Sequence, residues 1–204
     1  SLHRETHKYR AAQAKREWLK APIVRPEQRR VGFLGFGTMA RAPARVLKSL
    51  GFPVSAWTRS PRPAEDVTVF HGADQLEAFL GQTDIAVCLL PLTRETEGIL
   101  SSRTFSMMPK GAMLVNLGRG KHVVDADLIA ALDGGQLAHA ALDVTAPEPL
   151  PPGSPLWLHP GVTIMPHIAR RPTVDQIVGA IAGNIKGIRT GNPPQQQIDV
   201  GRGY

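Results

Sequence analysis

Short apolar segments alternate with helical segments along most of this chain, and this alternation constrains the fold more than any other feature. The predicted strands are residues 31–34, 54–57, 84–89, 112–116, 137–142 and 162–165. They are apolar at nearly every position, which is typical of strands buried on both faces of a sheet. The main predicted helices are residues 39–50, 75–80, 125–132 and 173–189. This order predicts an α/β fold, a doubly wound parallel sheet with helices on both faces.

The first predicted strand runs into a Gly-x-Gly-x-x-Ala turn at residues 35–40, where a helix begins. Gly35 permits the sharp turn, Gly37 leaves room for a pyrophosphate against the backbone, and Ala40 allows close helix–strand packing. The amides of Thr38 and Met39 would face the phosphates at the positive end of the helix dipole. Because the turn opens the first βαβ unit, it predicts a dinucleotide site in a Rossmann-type sheet rather than an ordinary tight turn.

The end of the second predicted strand indicates which dinucleotide is preferred. A carboxylate at this position would bind the ribose 2′-hydroxyl of NAD, but no acid is present. The sequence has Thr58, Arg59, Ser60 and Arg62 instead. Hydroxyl and guanidinium groups suit a 2′-phosphate, so we predict NADP, with NAD as the second choice. The alternative is that these arginines are solvated loop residues.

Polar side chains follow three of the later strands, and the carboxyl ends of parallel strands lie at one edge of a sheet. They are Arg119, Asp143 with Glu148, and His167. Arg119 can hold a carboxylate through two hydrogen bonds. His167 can give a proton to a ketone oxygen as hydride reaches the carbon, and Glu148 can orient it and favour its charged form. Asp143 is a candidate for the nicotinamide end. The set predicts reduction of a 2-ketoacid.

The charge of the chain is concentrated near its start. Of a net charge of +7, residues 1–30 contribute +6, from nine Lys/Arg and three Asp/Glu. A basic segment can contact nucleic-acid phosphates, but a solvated helix over residues 6–20 explains the same charge, and we favour the helix.

Several classes of protein are disfavoured by the remaining residues. The single cysteine, Cys88, lies in an apolar run and is expected to be a buried hydrophobe. No membrane span or secretory signal is evident, so we expect a cytoplasmic protein. No metal site is expected, because the other histidines lack ligand spacing and have local structural or surface roles by default. They are His3, His7, His71, His122, His139 and His159.

A set of motifs resembles the D-isomer-specific 2-hydroxyacid dehydrogenase family, in particular its glyoxylate/hydroxypyruvate reductase branch. The motifs are the turn at 35–40, Leu90-Pro91-Leu92-Thr93-Arg94-Glu95-Thr96, Asn116-Leu117-Gly118-Arg119-Gly120, Leu142-Asp143-Val144 with Glu148-Pro149-Leu150-Pro151, Pro166-His167 and the final Arg202-Gly203-Tyr204. The resemblance covers nearly the whole chain. It implies a catalytic set of Arg119, Glu148 and His167, a nicotinamide cofactor, and small 2-ketoacid substrates such as glyoxylate or hydroxypyruvate.

The resemblance also implies a wider cofactor site and a partner. The implied cofactor-binding residues are Gly35, Gly37, Thr38, Met39, Thr58, Arg59, Ser60, Arg62, Leu90, Pro91, Thr96, Leu117, Gly118, Asp143, His167 and Ala169. A homodimer formed through the leading helix is expected, with neither nucleic acid nor membrane as a partner.

The expected domain layout is an arm and linker at 1–30, an NAD(P)-binding domain at 31–172, and a remnant of the substrate domain at 173–204. Family members usually carry a longer N-terminal part that forms most of the substrate domain, and a longer small-residue loop after His167. We therefore expect this chain to bind the cofactor but to reduce ketoacids poorly or not at all. The alternative function is a non-catalytic dinucleotide-binding module that controls dimerisation or a partner.

Overall fold

A parallel sheet forms the centre of the computed structural model, which describes residues 2–61 and 67–194. The strands are β1 (Val31–Leu34), β2 (Val54–Thr58), β3 (Thr68–His71), β4 (Ile85–Cys88), β5 (Ala112–Asn116), β6 (Leu137–Leu142) and β7 (Val162–Ile164). The helices are α1 (Thr6–Ala14), α2 (Thr38–Ser49), α3 (Leu76–Leu80), α4 (Ser102–Ser106), α5 (Asp125–Asp133) and α6 (Val174–Arg189).

The strand order is β3-β2-β1-β4-β5-β6-β7, and every pairing is parallel. The chain winds outwards from β1 to β3 in one direction and from β4 to β7 in the other. The topological switch point therefore lies between β1 and β4, where ligands bind in open α/β sheets. The predicted doubly wound, Rossmann-type fold is confirmed.

Two hydrophobic clusters cover the two faces of the sheet. One contains Phe33 and Met113, and α2 packs into it through Ala40 and Ala44, both at most 1% exposed. The other contains Leu34, Cys88, Leu114 and Leu142 together with side chains of α3, α4 and α5. Neighbouring residues of β1 thus point into different clusters, which explains why its sequence is apolar throughout. Cys88 is fully buried, as expected, and burial raises the pKa of its thiol to about 12.

At the amino end of the sheet, Arg30 and Asp84 join the starts of β1 and β4. The backbone N–H of Arg30 donates to Asp84 Oδ2 at 2.7 Å, and its guanidinium donates to Oδ2 at 3.0 Å and Oδ1 at 2.6 Å. Burial raises the pKa of Asp84, but these hydrogen bonds outweigh it, and the pKa is lowered. Two-point guanidinium–carboxylate pairing of this kind is among the stronger polar interactions in proteins.

The leading helix is shorter than the predicted 6–20, because α1 ends at Ala14. Arg16 adopts a left-handed φ of 58°, and the N–H of Glu17 bonds back to the carbonyl of Ala12 at 2.9 Å. This is a Schellman ending, which normally uses glycine, so the sequence held no sign of it. Strand β3 and helix α4 were also not predicted.

Helix α1 and the residues before it contact the sheet domain through histidines. The His3 ring meets Phe52 edge-on at 4.9 Å, and the His7 ring stacks on His139 at 4.3 Å. His139 is 3% exposed, and its Nε2 lies 2.9 Å from Thr163 Oγ1. Burial, followed by the charges of His7 and His159, lowers the pKa of His139 to about 4. The rings therefore pack in their neutral forms at neutral pH.

The chain separates into two compact units, one ending at Pro166 and the other beginning at His167. In the second unit, α6 begins with a capping box in which the Gln176 N–H donates to Thr173 Oγ1 at 3.3 Å and the Thr173 N–H donates to the Gln176 side chain at 3.0 Å. Residues 195–204, which end the third expected domain, lie outside the described residues. None of the helices in the described part of the chain is long and apolar enough to cross a membrane.

Candidate functional site

The loops after the strands begin at a common level along the carboxyl edge of the sheet. From β1 through β4, β5 and β6 to β7, the residue that follows one strand donates its backbone N–H to the last residue of the strand beside it. The four bonds are Leu89 N–H to Leu34 O at 2.8 Å, Leu117 N–H to Cys88 O at 3.0 Å, Asp143 N–H to Asn116 O at 3.0 Å and Met165 N–H to Leu142 O at 2.8 Å. The candidate residues up to Glu148 therefore start from one rigid edge.

The glycine turn after β1 fits a pyrophosphate. Gly35 has a φ of +91°, and a Cβ there would lie 2.9 Å from the carbonyl oxygen of Leu89, so only glycine is suited to this position. Gly37 differs, because a Cβ built on it meets no atom within 4 Å. Open space therefore adjoins the backbone where α2 begins, and Thr38 and Met39 form the exposed first turn of that helix. This is the geometry in which backbone amides bind phosphate.

The residues expected to bind a 2′-phosphate lie at the end of β2 and directly after it. Thr58 is 5% exposed and donates its hydroxyl hydrogen to the Ser60 carbonyl at 2.8 Å, so it would have to release that carbonyl to donate to a phosphate. The Arg59 guanidinium is partly exposed and donates from Nη1 to Glu95 Oε2 at 2.7 Å. Arg62 lies outside the described residues.

Arg119 is exposed and lies in the loop after β5. Hydrogen bonds from neighbouring residues hold this loop in place. The Asn116 side chain, completely buried, donates to the Arg119 carbonyl at 2.9 Å and accepts from the Gly118 N–H at 3.1 Å. The Arg119 guanidinium donates from Nη1 to the Gly118 carbonyl at 2.7 Å. Leu117 lies between Asn116 and Gly118 and is half-buried. A guanidinium held above a rigid backbone in this way is suited to bind a carboxylate.

His122 has a larger role than sequence reasoning gave it. Its side chain is 0% exposed, Nδ1 accepts from the Arg119 N–H at 3.0 Å, and Nε2 lies 3.3 Å from the Pro91 carbonyl. A carbonyl only accepts, so Nε2 carries the proton and the ring is neutral. Burial is the first cause that lowers the pKa of His122. The only sequence sign was its position three residues after Arg119.

The loop after β4 is shaped by Thr96. Its hydroxyl donates to the Pro91 carbonyl at 2.7 Å and accepts from the Thr93 N–H at 2.8 Å. Leu90 is buried, and its carbonyl lies 3.1 Å from where a Cβ on Gly118 would be. The residues assigned to the cofactor in this loop therefore pack directly on the loop that carries Arg119.

The loop after β6 carries Asp143 and Glu148. Asp143 is 6% exposed, while Glu148 is exposed and accepts from the Thr145 N–H at Oε1, 3.1 Å away. A Cβ on Gly120 would overlap the Thr145 carbonyl group, so this loop and the Arg119 loop are in backbone contact.

His167 opens the second unit, and Ala169 follows it in an exposed segment. His167 has a left-handed φ of 53°, an uncommon backbone conformation in which histidine is enriched among non-glycine residues. In the part of the chain that the structure describes, no group of three or more His, Cys, Asp or Glu side chains is placed to hold a metal ion.

A family model described as D-isomer specific 2-hydroxyacid dehydrogenase, NAD binding domain, matches residues 1–169. The chain belongs to this dehydrogenase family. The resemblance inferred from the motifs is therefore confirmed, and the matched part is the family's NAD-binding domain. The match runs from the start of the chain, through the glycine turn and the Arg119 loop, to Ala169.

Relatives within the dehydrogenase family include enzymes named glyoxylate/hydroxypyruvate reductase A. The one from Serratia proteamaculans is 41% identical over 201 residues, covering 98% of this chain and 64% of the relative, and the one from Salmonella newport is 40% identical over 196 residues, covering 96% and 63%. The chain thus spans less than two thirds of the length of these relatives.

Solved structures of the dehydrogenase family superpose closely on the chain. A D-isomer specific 2-hydroxyacid dehydrogenase from Xanthobacter autotrophicus Py2, in complex with NADPH and MES, has a TM-score of 0.95 and 39% identity, covering 99% of this chain and 84% of that one. An NADPH-dependent glyoxylate/hydroxypyruvate reductase from Sinorhizobium meliloti, in complex with NADP and sulfate, has a TM-score of 0.93 and 35% identity, covering 99% and 65%.

Proposed function

We propose that the chain binds NADPH and serves in the reduction of small 2-ketoacids, of the glyoxylate or hydroxypyruvate type, to D-2-hydroxyacids. The observation that carries this proposal is the placement of two features at one sheet edge. They are the open backbone at Gly37, where α2 begins, and the guanidinium of Arg119, which donates to the Gly118 carbonyl in the loop after β5.

NADPH is preferred to NADH because the residue directly after β2 is Arg59, which has a guanidinium and not a carboxylate. Arg59 is a cation that a 2′-phosphate can pair with, whereas the 2′-hydroxyl of NADH offers it no charge. The structures from Xanthobacter and Sinorhizobium, which contain NADPH and NADP, support the same choice.

When bound, the nicotinamide supplies hydride to the ketone carbon of the substrate. Arg119 binds the substrate carboxylate and draws electron density from the adjacent ketone. His167 is the proton donor to the ketone oxygen, and Glu148 is the carboxylate that favours the protonated histidine. The hydride forms the new C–H bond at the former ketone carbon and the proton forms the hydroxyl on its oxygen, which balances the reduction. Asp143 is assigned to the nicotinamide end of the site.

A homodimer formed through the N-terminal segment is part of the proposal. Beyond α1 the chain exposes large apolar side chains, with Trp18 at 90%, Ile23 at 74% and Leu19 at 42% of their surface. Exposed apolar surface of this kind is commonly covered by a partner. Sedimentation of the wild-type chain and of Trp18→Ser tests the dimer, which the substitution should weaken. A cytoplasmic location is proposed as well, supported by the one buried thiol, Cys88, which has no internal disulfide to form.

The first test is calorimetric titration of the chain with NADPH and NADH, followed by glyoxylate or hydroxypyruvate and a record of nicotinamide absorbance. We expect tighter binding of NADPH. The variant Arg119→Met should bind NADPH normally and abolish any ketoacid-dependent oxidation, while Arg103→Met, which removes an exposed arginine of α4, should change neither.

Failure of the wild-type chain to bind either dinucleotide would overturn the proposal. Binding of NADPH without oxidation in the presence of either ketoacid would instead mean that this chain is the cofactor-binding part of a reductase, inactive by itself, or the non-catalytic binding module.

A further inference from the structure

We propose that Glu95 competes with the 2′-phosphate of the cofactor for Arg59 and thereby limits the preference for NADPH over NADH. The inference rests on the proposed function, because it needs Arg59 to bind the 2′-phosphate. It assigns a role in cofactor choice to a residue of the loop after β4.

The two side chains meet from different loops. Arg59 directly follows β2 and Glu95 lies in the loop after β4, with β1 between these strands in the sheet. The Arg59 Nη1 atom lies 2.7 Å from Glu95 Oε2. The pair therefore crosses the end of β1, the strand that leads into the glycine turn, and it lies at the edge where the dinucleotide is expected.

The pair is open to solvent, with 42% of the Arg59 side chain and 67% of the Glu95 side chain exposed. An exposed ion pair gains little stability, because water and salt screen it. The ion pair is thus not needed to stabilise the fold. A bound ligand can displace Glu95 from Arg59, or contact Arg59 beside it. An arginine tied to a carboxylate is also a weaker anion site than one without that neighbour.

The competition acts on only one of the two cofactors. A 2′-phosphate carries close to two negative charges at neutral pH, so a carboxylate at the same guanidinium repels it. NADH has a hydroxyl at that position and experiences no such repulsion. Removal of the Glu95 charge should therefore tighten NADPH binding and leave NADH binding as it was.

The substitution Glu95→Gln removes the charge while keeping an oxygen that accepts from Arg59, so the position of Arg59 is preserved. Glu97→Gln is the matched control. Glu97 is an exposed residue of the same loop, but its partner is Lys121, with Nζ at 3.6 Å from Oε1, rather than Arg59. General effects of surface charge should appear equally in both variants.

The experiment is calorimetric titration of the full chain and both variants with NADPH and with NADH, at low and at high salt. For Glu95→Gln we expect the Kd for NADPH to fall by about threefold or more at low salt, the gain to shrink at high salt, and the Kd for NADH to stay the same. Glu97→Gln should match the wild type.

An unchanged or lowered NADPH preference in Glu95→Gln, with both cofactors still binding, would overturn this inference alone. An equal gain in Glu97→Gln would do the same, because it would show a general charge effect. Absence of binding of both cofactors to the wild type would overturn the proposed function itself.

Discussion

The Nδ1 atom of His122 accepts a hydrogen bond from the backbone N–H of Arg119 at 3.0 Å, while the opposite ring nitrogen faces the Pro91 carbonyl. A neutral imidazole can make both contacts, since it offers one acceptor and one donor. The buried ring thus connects the loop that carries Arg119 to the loop after β4.

Replacing His122 with Leu should therefore lower the free energy of unfolding by about 2–4 kcal/mol, because a buried N–H and a buried carbonyl lose their partners. Urea denaturation measures this loss. His122→Gln, with an amide that both donates and accepts, should recover part of it. His71→Leu, which changes an exposed histidine at the end of β3, is the control and should have little effect. A His122→Leu variant as stable as the wild type would contradict the assignment.

The two glycines of the turn after β1 should respond differently to substitution. Gly35→Ala should destabilise the protein, because the position combines a φ of +91° with backbone 2.9 Å from the added carbon. Gly37→Val should leave the melting temperature nearly unchanged, since a Cβ there meets nothing within 4 Å, yet it should weaken NADPH binding by at least about tenfold by obstructing the phosphate. Thermal melts and titration separate the two effects. Tight NADPH binding by Gly37→Val would place the pyrophosphate elsewhere.

Stability should fall as the pH is lowered from neutral. The pKa of His139 is about 4 in the folded protein against 6.5 for an ordinary histidine, so the unfolded chain binds protons more readily. The stabilisation is fully present above pH 6.5 and is lost as the pH falls towards 4. At pH 5 this one residue should lower the free energy of unfolding by about 2 kcal/mol relative to its value at neutral pH. Urea denaturation at pH 7 and pH 5 should show a smaller loss for His139→Leu than for the wild type. Equal losses would mean that His139 is not buried in its neutral form.

The Arg30–Asp84 pair should matter more for stability than the exposed Arg59–Glu95 pair. Asp84→Asn should lower the free energy of unfolding at neutral pH by about 1–3 kcal/mol, whereas Glu95→Gln should change it by about 0.5 kcal/mol at most. Because the pKa of Asp84 is lowered, its stabilisation is present above its ordinary value of 3.8 and is lost as the pH falls further. The free energies of unfolding of the two variants, measured by urea denaturation, should therefore differ at pH 7 and become similar in acid.

The buried strands were predictable from sequence because their residues are apolar on both faces. Residues 112–116 and 137–142 have the same bounds in the structure as in the prediction. Strand β3 was not predicted because it lies at the edge of the sheet, where Thr68 and His71 are exposed and no apolar run forms. The end of α1 was not predicted because an arginine, not a glycine, adopts the left-handed conformation there.

The positions of Arg119, Asp143 and Glu148 after neighbouring strands were also predictable, since parallel strands bring their carboxyl ends to one edge. The supporting contacts were not. That Glu95 would reach Arg59, or that His122 would bridge two loops, depends on side chains far apart in sequence, and no local pattern encodes such pairs. The placement of Arg119 followed from topology, whereas its hydrogen bonds depend on the packed loops.

The backbone contact between Gly120 and Thr145 has a consequence for protein engineering. Because a Cβ at position 120 would overlap the Thr145 carbonyl group, any larger residue there must displace one of the two loops. Substitution of Gly120 alone would therefore disturb both loops at once. Libraries that keep Gly120 and diversify both loops together would sample workable shapes, because the pair of loops, rather than either one alone, is the unit that the sheet presents.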